Sequence, residues 1–120
     1  MGERLVARIA GDANELSMLR GMMSGWLSEQ GVEGTAHDSL VSAAHEAAAE
    51  AIERGAREVV IVAERSDSAI RLSVAGGDWS GLEELRSKLI RELMSDVRVH
   101  RGIVGMRLEL AAAAPIETPQ

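Results

Sequence analysis

Glu46 and Glu50 stand four residues apart in a segment, Ser42 to Gly55, that reads as one helix. Their carboxylates are therefore neighbours on one helix face. Two close carboxylates can share a proton or hold a hard cation such as Mg²⁺. The same spacing also describes a solvated acidic stripe, extended by Glu53 and screened by Arg54 or Arg57. From spacing alone the stripe is the preferred reading. Other chemical arrangements are incomplete. His45-Glu46 opens like a zinc-protease HExxH helix, but Ala49 stands where the second histidine must be. His37 and His100 are isolated in the sequence and read as solvated loop or strand residues rather than ligands. Gly76-Gly77 is not followed by the Gly-Lys-Ser/Thr of a phosphate loop, and no GxGxxG occurs. No Ser/His/Asp set has a recognisable local context.

Composition narrows the classes further. The chain has 120 residues, a single domain's worth, and 46% apolar residues, enough for a packed core. It has no Cys, Phe or Tyr, and its only aromatics are Trp26 and Trp79. Without cysteine there is no disulfide frame, thiolate metal site or cysteine nucleophile. Two aromatics and a net charge of −6 argue against direct nucleic-acid binding by stacking or phosphate contact. No apolar run reaches the ~18–20 residues of a membrane span, and the N-terminus lacks a signal-peptide core. A cytoplasmic location is the expectation.

These residues must be positioned by alternating short strands and helices. Leu5–Ala10 reads as a strand closed by Gly11. Asp12 and Glu15 have capping-box spacing, and Leu16, Leu19, Met23, Trp26 and Leu27 then recur at helical steps as far as Gly31. Met23 is expected in the core, with Met18 or Met22 partly exposed. A second start signal falls at Thr35 to Asp38. Leu40, Val41, Ala44, Ala47, Ala48, Ala51 and Ile52 form the next apolar stripe, and Gly55 is a natural C-terminal cap. Val59–Ala63 and Ile70–Val74 read as a hairpin turning at Ser66 to Ser68. After Gly76-Gly77, Ser80 and Glu83 have capping spacing, with Leu82, Leu85, Leu89, Leu93 and Met94 as the stripe. Val97 and Val99 suggest a short strand, and Met106 to Leu110 a last one. The fold class is α/β, a two-layer α+β sandwich whose mixed, mainly antiparallel sheet carries three helices on one face. Residues 1–110 read as one domain, and Ala111–Gln120, which holds both prolines, as a disordered tail.

The helix carrying the paired acids resembles the N-box helix of anti-sigma-factor serine kinases, in the GHKL (histidine-kinase-like ATPase) superfamily. That family's usual pattern is E-A-x-x-N-A-I-x-H-G; here it reads Glu46-Ala47-Ala48-Ala49-Glu50-Ala51-Ile52-Glu53-Arg54-Gly55. The similarity runs from about Leu5 to Leu110. It takes in Arg20, Trp26-Leu27 and Gly31 of the first helix, the Val59–Val74 hairpin, Leu82–Val99 and the closing Gly102–Leu110. No single motif is intact, so the resemblance rests on the whole pattern.

Carried over residue by residue, Glu46 falls on the family's general base towards a substrate serine. Glu50 replaces the asparagine that chelates the Mg²⁺ bridging the ATP phosphates, and adds negative charge there. The adenine-reading aspartate belongs near Gly76, whereas Asp78 comes two places late. Only Asp78 to Gly81 remain where the family has its glycine-rich lid, with Gly81 as its remnant. The Gly-Thr pair before the last strand is Gly102-Ile103. The one lysine of the chain, Lys88, is not in that shortened loop, so no lysine is expected near the phosphate site.

The resemblance with these departures implies a degenerate member: a regulatory protein acting by protein–protein binding, with no cofactor. Its implied partners are a sigma factor or a STAS-type anti-anti-sigma protein, and a second copy of itself. One alternative is an active serine protein kinase using ATP and Mg²⁺, with Glu46 as base, Glu50 as metal ligand and Asp78 reading adenine through a shifted loop. Another is a small-molecule sensor or structural dimer on an unrelated α/β fold.

Overall fold

The computed structural model describes residues 4–76, 84–100 and 103–110. Strand β1 (Arg4–Ala10) leads through a 3₁₀ turn (Ala13–Glu15) into α1 (Leu16–Glu29) and α2 (Gly34–Glu53). The hairpin β2 (Glu58–Arg65) and β3 (Ala69–Ala75) follows, then α3 (Glu84–Leu93), β4 (Asp96–His100) and β5 (Ile103–Glu109). This is the order of elements that the sequence pattern predicts. The strands form one sheet in the order β1-β2-β3-β5-β4. Every pairing among the described strands is antiparallel, so a sheet expected to be mainly antiparallel is entirely so here.

Strand alternation decides which sheet face is dry. Ala7, Ile61, Val74 and Val104 lie in one cross-strand row, and all four are buried. Leu72, Met106 and Val97 continue the next row on the same face. The helices cover that face, α1 against β1, α2 across β2, β3 and β5, and α3 against β4. The other face carries Val6, Arg8, Arg71, Arg98 and Ile103, all exposed.

Helix α2 is the central one, in contact with the sheet and with both other helices. Its alanine content follows from this. Ala43, Ala44, Ala47, Ala48 and Ala51 have no solvent exposure, and their small side chains let three surfaces approach one helix. It ends as Gly55 predicts. Gly55 takes φ +90°, its N–H donates to the Ile52 carbonyl at 3.0 Å, and the Ala56 N–H donates to Ala51 at 3.0 Å. That pair of bonds satisfies carbonyls the helix leaves open. The Arg65 guanidinium likewise donates to the Gln30 carbonyl at the end of α1.

Three local expectations change. Asp12 caps the 3₁₀ turn, accepting from the Asn14 N–H at 2.9 Å, and α1 follows only at Leu16. Helix α2 begins at Gly34 after Glu33, which makes no side-chain cap bond, so Thr35 and Asp38 lie inside the helix rather than before it. Among the described side chains of α3, Ile90 is buried and Leu93 half-buried, while Leu89 is 40% exposed; Met94, just past the helix, is buried as the stripe has it. Only Leu89 departs from the stripe among the described side chains, its place in the core taken by Ile90 where α3 packs against α2 and β4. The remaining methionine expectation holds: Met23 is buried, Met22 half-buried and Met18 exposed. The proposed disordered tail, the Ser80 start signal and Trp79 fall outside the described residues.

Candidate functional site

A cleft of about 820 Å³ lies where the start of α1, the second half of α2 and α3 meet. That is within the ~300–1,000 Å³ typical of ligand pockets. Leu16, Ala49, Ile52 and Leu89 supply its apolar wall. His45, Glu46 and Glu53 from α2, and Lys88 and Glu92 from α3, supply its polar groups. Glu46 is half-buried there and Glu53 exposed. With three carboxylates facing one ammonium, the lining carries net negative charge when His45 is neutral.

Lys88 lines the same cleft as Glu46. It is remote from the shortened loop in sequence, but α3 packs along α2 and brings it to the cleft that holds Glu46.

Glu50 behaves differently from its neighbour. It is fully buried and does not line the cleft. The Arg54 Nε–H donates to its Oε2 at 2.7 Å, and the Arg54 side chain is itself only 17% exposed. The solvated acidic stripe is therefore not what forms. The stripe splits into a buried Glu50, a half-buried Glu46 and an exposed Glu53, because α2 is covered on three sides. A buried carboxylate persists only when paired and hydrogen-bonded. Arg54 sits one turn later, in the favourable order for an i,i+4 pair, and its cation also complements the helix C-terminus.

A Mg²⁺-triphosphate needs ligand oxygens open to the metal and cations facing the phosphates. Glu50, which the sequence resemblance sets against a metal-chelating asparagine, accepts at Oε2 from Arg54 inside the protein. The cleft beside it is lined by more carboxylates than cations. Asp78 and Gly81 lie outside the described residues. Among the described residues, no cluster of three or more metal-ligating side chains occurs. No helix among them is long and apolar enough to cross a membrane.

A second polar cluster, illegible in the sequence, joins α1 to α2. His37 is in the first turn of α2, not in a loop, and its side chain is 20% exposed rather than solvated. Its Nε2 lies 3.0 Å from Ser24 Oγ, and its Nδ1 lies 3.1 Å from Asp38 Oδ1. Ser24 and His37 are 13 residues apart. The only sequence signal was a polar residue on the inward side of each helix near their shared turn. His100 lies on β4 opposite Ile103.

No family model matches the chain, and no curated protein matches it. Among solved structures it is similar to the crystal structure of the RsbU and RsbW domains of Rv1364c from Mycobacterium tuberculosis. The identity is 22% and the TM-score 0.72. The match covers 89% of this chain and 32% of that one, so the chain spans about a third of the length of that protein's solved chain. The likeness removes the expectation of an unrelated sheet order: this chain shares the α/β fold, an antiparallel five-stranded sheet covered on one face by helices, with part of that structure.

Proposed function

We propose that the chain is an anti-sigma-factor-like regulator that acts by binding proteins, on a GHKL-type frame that has given up its nucleotide. The observation that supports this is the Glu50–Arg54 pair, an internal ion pair made by the acid that the resemblance sets at the metal-ligand position. The family resemblance of the Ser42–Gly55 helix supports the regulatory role, as does the fold shared with a structure that contains an RsbW domain. The partner is a sigma factor or a STAS-type anti-anti-sigma protein. Surfaces for it exist outside the cleft: Met18 on α1 is 46% exposed, and Val6 and Ile103 stand exposed on the uncovered sheet face. Exposed methionine suits an adaptable contact.

A kinase reading has one observation in its favour, the presence of Lys88 at the cleft that holds Glu46. One experiment separates the two. The purified chain is titrated calorimetrically with each sigma factor and STAS protein of its host, without and with MgATP. A micromolar or tighter complex that forms equally without nucleotide is expected. Phosphate transfer to a STAS serine would establish the kinase instead, and no complex with any of these proteins would remove the regulatory reading.

A further inference from the structure

Between α1 and α2, Ser24, His37 and Asp38 are connected in the order of a nucleophile, a base and an orienting acid. The directions of the two bonds follow from donor chemistry. A carboxylate only accepts, so with a neutral imidazole the hydrogen is on His37 Nδ1, facing Asp38. Nε2 is then the acceptor for the Ser24 hydroxyl. This is the tautomer a general base requires, and recognition of such a constellation rests on geometry rather than chain order. A cavity of about 330 Å³ adjoins it, walled by Arg20, Gly21 and Val41 along with the three residues themselves. Ser24 is half-buried at its edge.

We propose that Ser24 is an activated nucleophile that accepts the acyl group of small carboxylic esters. Ser24 Oγ attacks the ester carbonyl carbon while its proton passes to His37 Nε2. The bond to the leaving alkoxide breaks, and the alkoxide takes that proton and departs as the alcohol. Water, deprotonated by the same nitrogen, then cleaves the acyl-serine to a carboxylic acid and restores Ser24. The Ser24 backbone N–H belongs to the interior of α1, so it is committed to the helix and does not serve as an oxyanion donor. Arg20, on the cavity wall, is the cation available to the developing oxyanion. Turnover is therefore slow, and the acylated serine is the species to detect. Asp38 is 83% exposed, so it is a positioning residue acting through a solvent-screened bond.

The test is treatment of the folded chain with a fluorophosphonate probe, followed by peptide mass spectrometry. A single adduct on Ser24 is expected, with the exposed Ser17 and Ser28 unmodified. Ser24→Ala removes the adduct. His37→Gln, with an unchanged circular dichroism spectrum, slows labelling by about 100-fold, the scale of general-base assistance. Asp38→Asn slows it only a few-fold. Absence of an adduct on wild-type Ser24 would overturn the proposal, whether or not the variants fold. So would labelling of folded His37→Gln at the wild-type rate.

Discussion

Arg54 holds Glu50 by a 2.7 Å bond from Nε to Oε2, one helical turn away, and the acid it holds has no solvent exposure. The two partners are not equivalent. With its side chain 17% exposed, Arg54 has a route to water; Glu50 has none.

Single substitutions of this pair should therefore be asymmetric. Arg54→Met removes the cation from a carboxylate sealed in the core and should cost about 3–5 kcal/mol. Glu50→Leu leaves a guanidinium that can swing outward, and should cost less. The double variant should be closer to wild type than Arg54→Met alone, because two apolar side chains of similar volume replace both charges. Urea unfolding of the four proteins measures this. Equal single costs that simply add would mean that the pair is uncoupled.

Gly11 meets Ala56 in a contact that no side chain fits. A Cβ at position 11 would lie 1.7 Å from the Ala56 carbonyl oxygen, and the Gly11 N–H already donates to Arg57 at 2.9 Å. Backbone lies on both sides, so relief requires moving the end of β1 away from the start of β2. Gly11→Ala should destabilise by about 2 kcal/mol or more, as overpacking does. Gly25→Ala, on the open side of α1 with nothing near its Cβ position, should cost nothing and gain helix propensity. Thermal melts of the two variants provide the comparison.

Trp26 is 6% exposed on the inner face of α1. Trp26→Ala should cost about 3–5 kcal/mol, the usual loss for a large buried aromatic. A loss under about 1 kcal/mol, the scale of surface substitutions, would place the ring outside the core.

The fold was largely legible because its signals are periodic. The Ile70, Leu72, Val74 alternation and the α1 stripe from Leu16 to Leu27 each point to one face, and those faces are the buried ones. Residues whose environment depends on distant elements were not legible. Glu50 reads as a surface acid because nothing local says that α2 is covered on three sides; Arg54 four residues on was the available hint. Lys88 joins the cleft only through the packing of α3 on α2. Leu89 and Ile90 are adjacent and similarly apolar, and periodicity picks Leu89 where packing buries Ile90. Ser24 and His37 meet across the packed faces of α1 and α2, which no linear motif encodes.

Loss of the nucleotide is the central functional claim, and calorimetric titration of MgATP into the folded chain tests it most directly. An internally paired Glu50 and a net acidic cleft predict no saturable binding up to millimolar nucleotide. A micromolar Kd at one site per chain would contradict it.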